Sequence, residues 1–243
     1  MESSVFIRHN KYENTHWWFS ARRKILSYII KKKVTKLGNK LKILDYGAGS
    51  GTNIDMLSKF GKVFVYEKNK DAQNYLTKKF INNENVTILE NFEKKMSYDL
   101  IVAADVIEHV EKDDDLLNQL EKQLNEKGKI LITVPAYKFL FSEKDRVLQH
   151  YRRYSFKQIK FLGEKYFKIR KLSYFNFFLF FPISISILYL KLFNIKFIKY
   201  AETTPNFFLN KVLYTIFSLE MLFLNFINFP FGVSILLLGE KKQ

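Results

Sequence analysis

Three glycines and two acidic residues in the first third of the chain have the types and spacing of a nucleotide-binding site. Gly47, Gly49 and Gly51 closely follow Asp45, and Glu67 comes 22 residues after that aspartate. Glycines let a ligand lie against a strand-to-helix turn whose free N–H groups face it. An acid at this distance, at the end of a second strand, is placed to accept hydrogen bonds from a ribose diol. These residues therefore predict binding of a nucleoside-type ligand.

A second group of polar side chains follows a later apolar run. Asp105, Glu108 and His109 come after residues 98–104, at the end of a predicted strand, where open α/β sheets bind their ligands. A histidine there can take the proton of a reacting hydroxyl, so His109 is a candidate general base. The alternative is a histidine that caps the turn or packs under the ligand. We predict no metal site, because the sequence supplies no further ligands beside these three.

The loop after the next predicted strand carries a histidine, two arginines and a tyrosine. His150 is a second candidate base. Arg152, Arg153 and Tyr154 are candidate contacts to a phosphate or carboxylate of the substrate, which arginine binds bidentately. The alternative is that an arginine pairs with a nearby acid such as Asp145 and orders the loop.

The motif D-x-G-x-G-x-G at residues 45–51 resembles the first motif of the class I S-adenosylmethionine (SAM) methyltransferases. The dinucleotide fingerprint G-x-G-x-x-G/A fits less well, because Thr52 occupies its last position. The resemblance implies that the glycine turn lies under the methionine part of SAM and that Glu67 holds the ribose hydroxyls. Asp45 is predicted to belong to the same cofactor site.

Three further patterns extend the resemblance. The form D-x-x-E-H from Asp105 is similar to many small-molecule methyltransferases, including the ubiquinone-biosynthesis type, and makes Asp105 a candidate cofactor contact. The loop at residues 134–155 resembles a large group of bacterial and archaeal methyltransferase-like proteins linked with cell-envelope or polysaccharide chemistry. Methyltransferases with a similar aromatic-then-arginine N-terminal segment imply that Arg22 holds the SAM carboxylate. The alternative is that Trp17 and Trp18 only pack the N-terminal helix against the core.

The elements that must position these residues alternate between strands and helices. This alternation predicts an α/β fold with a largely parallel sheet. The family resemblance implies the Rossmann-like class I methyltransferase form, with a mostly parallel seven-stranded sheet whose last strand is antiparallel. The residues after the third strand, Glu90, Asn91 and Phe92, are placed to approach the adenine in this family, and the sequence does not choose among them. We predict four segments: an N-terminal helical cover at 1–40, a SAM-binding core at 41–179, an apolar basic helical insertion at 180–230 and the final strand at 231–243.

Two uncharged runs of 19 residues, 172–190 and 221–239, have the length of membrane-spanning helices. We favour strands at residues 169–178 and 233–238 instead, because prolines interrupt both runs and the fold requires two more strands. The insertion between these strands is rich in aromatic residues and carries several lysines: Lys191, Lys196, Lys199 and Lys211. Such helices form a lid over the substrate pocket, a dimer interface or an interfacial membrane patch. We favour a lid close to a membrane.

The net charge of +16 is unevenly distributed along the chain. Residues 1–40 carry +8, residues 41–150 carry −2 and residues 151–243 carry +10, so the basic charge lies on both sides of the predicted core. Such flanks suggest an anionic partner, either phospholipid headgroups or nucleic acid, although a general bias toward Lys, Asn, Ile and Phe would give the same charge. The chain has no cysteine, which excludes disulfides and cysteine-ligated zinc and suits a reducing cytoplasm. No basic region followed by an apolar core opens the chain, so we expect no cleaved secretion signal.

Together these observations predict methyl transfer from SAM to a small-molecule, lipid or lipid-linked sugar acceptor, with an oxygen as the expected methyl acceptor. The predicted location is the cytoplasm, with peripheral contact to an anionic membrane at its inner face. The alternatives are an RNA methyltransferase and a catalytically silent membrane scaffold that retains SAM binding. RNA ranks lower because the aromatic residues of the flanks lie in apolar runs rather than on an exposed basic platform.

Overall fold

The computed structural model describes residues 10–35, 40–92, 96–195 and 204–242 of the 243-residue chain. Seven strands in these residues form one sheet: β1 (Leu41–Tyr46), β2 (Gly61–Tyr66), β3 (Val86–Leu89), β4 (Tyr98–Ala104), β5 (Leu124–Pro135), β6 (Phe167–Phe175) and β7 (Ser234–Lys241). Their order across the sheet is β3-β2-β1-β4-β5-β7-β6. Strands β1 to β5 pair in parallel, and β7 runs antiparallel to both β5 and β6. The predicted fold class is confirmed.

Helices cover the sheet: α1 (Trp17–Lys33), α2 (Ile54–Leu57), α3 (Lys70–Lys79), α4 (Asp113–Lys122), α5 (Glu143–Val147), α6 (Phe156–Tyr166), α7 (Phe180–Leu192) and α8 (Phe207–Leu224). Residues 10–15 are also helical. Side chains define several helix starts. Asn69 accepts from the backbone N–H groups of Asp71 and Ala72 at the start of α3, and Ser155 forms a capping box at the start of α6, as expected from the sequence.

The parallel strands bring the candidate residues to one edge of the sheet. Strands β1, β4 and β5 end at Tyr46, Ala104 and Pro135, and in parallel neighbours these carboxyl ends lie together. The register places Ala104 opposite Thr133, and the Asp105 N–H donates to the Thr133 carbonyl at 3.0 Å. The glycine turn, the segment after β4 and the loop after β5 therefore open at the same edge, where open α/β sheets bind ligands.

A glycine that follows the periodic residues of a helix predicts the end of that helix. At Gly163 this prediction is wrong, because α6 continues to Tyr166. A Cβ added at Gly163 would lie 2.4 Å from Leu237 Cδ1 on β7. This glycine is required for close packing of the helix on the sheet, which the sequence does not distinguish from a helix stop.

The C-terminal elements show how the two long apolar runs are used. Parts of both runs form the buried strands β6 and β7, as the fold requires. Within the described residues one helix, α8, is long and apolar enough to cross a membrane, with a mean hydropathy of 1.5 and 22% of its residues buried. This result rests on length and composition. Lys196 and Lys199 of the predicted insertion lie outside the described residues, and the four segment boundaries stay predictions.

Helix α8 is fastened to the rest of the protein by polar and aromatic contacts. Asn210 Oδ1 accepts from the Trp17 backbone N–H at 2.9 Å, and the Phe217 ring packs against both Trp17 and Trp18. Glu220, fully buried, accepts from the Phe178 backbone N–H at 3.0 Å. The tryptophans thus join α1 to α8, and Glu220 joins α8 to the segment that leads into α7.

Burial of Glu220 gives the first testable prediction. Burial raises its pKa from 4.5 to about 7, so the native protein retains a proton that the unfolded chain loses. Stability should therefore fall as the pH rises from 4.5 to about 7 and then level off, at a cost of about 3 kcal/mol. Glu220→Gln keeps an acceptor for the Phe178 N–H without the titration. We expect urea unfolding to show that this variant is more stable than the wild type at pH 8 and equally stable at pH 4.

Glu164→Gln on the exposed side of α6 is the control, since its side chain is 56% exposed. It should change stability little at either pH. A Glu220→Gln variant whose difference from the wild type is the same at both pH values would contradict the prediction.

Candidate active site

The glycine turn after β1 combines tight packing with one open face. Gly47, Gly49 and Gly51 all have positive φ angles, of 73°, 56° and 77°. A Cβ at Gly47 would lie 2.8 Å from Val106 Cγ2, and one at Gly51 would lie 2.5 Å from Leu76 Cδ2. Nothing lies within 4 Å of a Cβ at Gly49. The outer glycines therefore serve packing, while the central one leaves room for a ligand.

Glu67, at the end of β2, is held against this turn. The Gly49 N–H donates to Glu67 Oε2 at 2.8 Å, and the Asn69 N–H donates to Glu67 Oε1 at 2.9 Å. Each carboxylate oxygen has a second lone pair available. The acid is therefore oriented before any ligand arrives and can still accept hydrogen bonds from a diol.

Asp45 contributes a buried carboxylate below the turn. It is 1% exposed, and its Oδ2 has no hydrogen-bond partner among the described residues. Burial raises the pKa of Asp45 to about 7, although the nearby Arg22 opposes that rise. An unpaired buried carboxylate oxygen fits a ligand that brings a positive charge or a hydrogen-bond donor.

Arg22 and Asp105, both predicted cofactor contacts, form an ion pair with each other. Arg22 is 4% exposed, and Thr133 Oγ1 donates to the other oxygen of Asp105 at 2.8 Å. Arg22 Nε has no partner among the described residues. Asp105 has a φ of 56°, so the left-handed backbone aims its carboxylate. The role of Thr133 was missed, since a threonine inside a strand carries no sequence signal for it.

The N-terminal segment lies directly on the glycine turn. Glu13 Oε2 accepts from Ser50 Oγ and, at 3.2 Å, from Thr52 Oγ1. The Asn10 side chain donates to the Ser50 carbonyl at 2.8 Å. Residues 10–15 therefore contact the site that the sequence predicted them to cover.

An aromatic cluster lies beside the ends of β1 and β2. The Phe92 ring packs against Tyr46 and Tyr66, with ring centroids 4.8 Å and 5.3 Å away. Glu90 and Asn91 are exposed. Of the three residues considered for the adenine, Phe92 is the one within an aromatic cluster, and an adenine contact there stays a prediction.

The two candidate bases meet at the same sheet edge. The ring centroids of His109 and His150 are 4.5 Å apart, with the rings nearly perpendicular. His150 Nδ1 lies 2.9 Å from Asp145 Oδ1, and Arg153 donates to both oxygens of Asp145 at 2.8 Å and 3.0 Å. Burial opposes ionisation of Asp145, but the bonds from His150 and Arg153 outweigh it and hold the Asp145 pKa below its usual range.

The other candidate substrate contacts also have internal partners. Arg152 Nη1 donates to Asp113 Oδ2 at 3.2 Å, and the Tyr154 hydroxyl donates to the same oxygen at 2.7 Å. Tyr154 is 2% exposed, whereas the Arg152 side chain is 34% exposed. These contacts, with the Arg153–Asp145 pair, order the loop after β5. Substrate binding by the three residues stays a prediction, with Arg152 the most accessible.

Glu108 stands out among the acids of the site. It is fully buried, and neither carboxylate oxygen has a hydrogen-bond partner among the described residues. Burial, and then the charge of Asp105, raise its pKa well above the usual range. Ligand atoms of Glu108, His109 and His150 lie within 4.8 Å of one another, a spacing that one metal ion can span. Asp105, which is grouped with Glu108 and His109 in the sequence, pairs with Arg22 instead, and His150 is the third member of this group.

Comparison with known proteins agrees with this geometry. A family model described as a methyltransferase domain matches residues 16–175, so the chain belongs to that family. It is a class I SAM-dependent methyltransferase. A search of curated proteins finds no match.

Solved structures share the fold at low sequence identity. The Haloferax volcanii protein bound to the Trm112 methyltransferase activator has a TM-score of 0.61 at 12% identity, over 99% of this chain and 95% of that one. Haemonchus contortus phosphoethanolamine N-methyltransferase 2 in complex with SAM has a TM-score of 0.54 at 19% identity, over 90% of this chain and 52% of that one. N-methyltransferase NodS from Bradyrhizobium japonicum, in complex with S-adenosylhomocysteine, has a TM-score of 0.51 at 12% identity, over 64% of this chain and 78% of that one. At these identities the likeness shows the fold.

The residues at the sheet edge fit SAM. The open face of Gly49, the oriented Glu67 and the orphan oxygen of Asp45 suit a ligand with a diol and a positive charge. Bound SAM supplies a methyl group already activated by its sulfonium charge, so the protein contributes mainly positioning. We expect Glu67 to hold the ribose and the glycine turn to lie under the methionine portion. The buried carboxyl groups of Asp45 and Glu108 favour a cationic ligand. The positive charge of Arg22 reduces the electrostatic repulsion that each of them experiences from neighbouring acids.

Proposed function

We propose that this enzyme methylates an oxygen of a lipid or lipid-linked sugar, and that it reaches this acceptor at an anionic membrane surface. The observation that supports the proposal is an exposed apolar surface, formed by α7 and α8, beside the edge of the sheet that carries the cofactor site. We call it the apolar helix surface. Its exposed members are Phe181, Ile185, Leu188, Tyr189, Leu192, Phe207, Phe208, Leu209, Leu219, Leu222 and Phe223.

The apolar helix surface adjoins the candidate active site. Strand β6 is parallel to β5, because both run antiparallel to β7, so α7 leaves the sheet at the carboxyl edge. Lys191 on α7 donates to the Phe139 carbonyl at 2.9 Å, and the Phe180 ring packs against Tyr137 with a centroid distance of 5.5 Å. The loop after β5, which carries His150, therefore lies between α7 and the cofactor site. An acceptor with an apolar tail on α7 would have its polar end near the histidines.

The extent of exposure argues for a hydrophobic partner. Phe207 and Phe208 are 82% and 77% exposed, and soluble proteins rarely leave extensive apolar surface of this kind uncovered. The segment 151–243 carries +10, and exposed lysines such as Lys211 on α8 can extend from an apolar helix toward anionic headgroups. An apolar acceptor and an anionic membrane surface are consistent with both features.

Liposome binding tests the membrane part of the proposal. We expect the wild type to sediment with vesicles of phosphatidylglycerol and phosphatidylcholine. Phe207→Ser combined with Phe208→Ser should lower the vesicle partition constant at least about tenfold, since two aromatic side chains that insert into the membrane contribute at least about 1.4 kcal/mol. Phe161→Ser is the matched control, because Phe161 is 72% exposed but lies on α6. It should sediment like the wild type. Membrane contact would be refuted if the Phe207/Phe208 double variant and Phe161→Ser lost vesicle binding equally, or if the wild type did not sediment with the vesicles.

Radiolabelled methyl transfer tests the acceptor. Purified enzyme and labelled SAM are incubated with separated lipid, glycan, RNA and protein fractions of the source cell. We expect label in a lipid-extractable product, and mass spectrometry of that product locates the methyl group. Label in RNA would support the nucleic acid alternative, and a methyl on nitrogen would contradict oxygen transfer. His109→Ala and His150→Ala in the same assay show which histidine the reaction needs.

A further inference from the structure

We propose that Glu108, His109 and His150 form a binding site for one divalent transition-metal ion. Their ligand atoms lie within 4.8 Å of one another. Two imidazoles and a carboxylate are ligands that Zn²⁺, Mn²⁺ and Fe²⁺ accept, and three protein ligands leave coordination positions free. Mg²⁺, which prefers oxygen ligands alone, fits this set less well.

The buried carboxylate of Glu108 is the first observation that supports a metal site. The side chain is fully buried and both oxygens lack partners among the described residues. Protonation alone does not resolve this, because a neutral carboxyl group still brings an O–H donor that needs an acceptor. A cation bound to the carboxylate supplies the missing partner.

The surroundings of His150 are the second support. Asp145 is engaged by Arg153 and faces His150 Nδ1 at 2.9 Å, so Nδ1 donates and Nε2 keeps its lone pair free. The Tyr151 N–H donates to the Glu108 carbonyl at 2.8 Å, which ties the His150 loop to the turn after β4. Histidines that bind metals are commonly oriented by a carboxylate in this way.

His109 completes the set from the solvent side. The residue is exposed, and its ring lies against that of His150. The rings of His109 and His150 are at 87° to each other, so they do not stack and both can approach one ion. Asp105 is engaged by Arg22 and Thr133, which accounts for its absence from the set.

The role of the ion rests on the proposed function. An ion held by Glu108, His109 and His150 would make an acceptor hydroxyl beside it more acidic, and the hydroxyl proton would pass to solvent. The oxygen lone pair then forms the bond to the methyl carbon as the carbon–sulfur bond breaks and its electron pair stays on sulfur. The products are a methyl ether and S-adenosylhomocysteine, and the metal keeps its charge throughout.

Metal uptake by the tag-free protein tests the site without any acceptor or cofactor. The protein is treated with chelator, offered Zn²⁺, Mn²⁺ or Mg²⁺, desalted and analysed by elemental mass spectrometry. We expect about one equivalent of Zn²⁺ per chain and a higher unfolding midpoint with Zn²⁺ or Mn²⁺ than with Mg²⁺. Co²⁺ should give visible absorption bands typical of nitrogen and oxygen ligation.

Matched variants separate this site from incidental binding. Glu108→Gln keeps the shape of the side chain and should remove uptake and the Co²⁺ bands, as should His150→Ala. Glu111→Gln, an exposed acid three residues away, should bind like the wild type. Uptake that persists in Glu108→Gln, or a wild type that retains no metal, overturns the site. Methyl transfer to lipid by a protein that binds no metal would overturn the site and leave the proposed function standing.

Discussion

Gly49→Asn is expected to weaken SAM binding by about 100-fold, or about 3 kcal/mol, while the protein remains folded. Gly49 has a φ of 56°, a left-handed conformation that asparagine tolerates better than most residues. No atom lies within 4 Å of a Cβ at this position, so the free protein has room for the new side chain. That same space is where the cofactor is expected to lie. Calorimetry with SAM measures the affinity, and thermal unfolding checks the fold.

Gly51→Ala is the informative comparison. Gly51 also has a positive φ, but a Cβ there would lie 2.5 Å from Leu76 Cδ2. Overpacking of this kind costs about 1–3 kcal/mol of stability. We therefore expect Gly51→Ala to lose stability and Gly49→Asn to lose affinity. A Gly49→Asn variant that binds SAM as tightly as the wild type would show that the cofactor does not lie against this turn.

Arg22→Met should destabilise the protein by about 3 kcal/mol, the lower end of the cost of breaking a buried ion pair, because the Asp105 carboxylate that it leaves unpaired is 27% exposed. Arg22 is 4% exposed and paired with Asp105, and its charge also acts on Asp45 and Glu108. Without it, three carboxyl groups lose their shared buried cation. Urea unfolding at pH 7 measures the change. Arg170→Met is the control, since Arg170 forms an exposed pair with Glu240 and should change stability by less than about 1 kcal/mol.

A second substitution isolates the pair. Asp105→Asn removes the charge, tolerates the φ of 56° and still accepts from Thr133 Oγ1. The double variant should be at least about 1 kcal/mol more stable than Arg22→Met alone, because neither position then carries an unpaired charge. SAM affinity should stay low in the double variant, because the predicted cofactor contacts are gone. An Arg22→Met variant as stable as the wild type would contradict the account.

Local sequence patterns predicted the strand, glycine turn and second strand of the unit that is expected to bind the cofactor. The unit from Asp45 to Glu67 is continuous in sequence, so its strand, turn and helix follow from neighbouring residues. The three glycines of D-x-G-x-G-x-G all have positive φ angles, a conformation that glycine adopts readily. Local patterns mispredict the role of Gly163, because a glycine needed for packing against Leu237 looks the same in sequence as one that ends a helix.

Contacts between distant segments could not be read from the sequence. Arg22 meets Asp105 across 83 residues, and His150 comes from a separate loop to join Glu108 and His109. The partner of a long side chain depends on the order of strands across the sheet and on the path of the loops, and local periodicity carries no information about either.

The sequence by itself therefore determined the enzyme class, the fold and the turn that is expected to hold SAM, because these depend on short motifs and on alternating apolar segments. Only the tertiary structure decided which acid pairs with Arg22 and which histidine faces Glu108. It also decided that α7 and α8 leave an apolar surface exposed beside the site. Those outcomes depend on how separate elements meet at the carboxyl edge of one sheet.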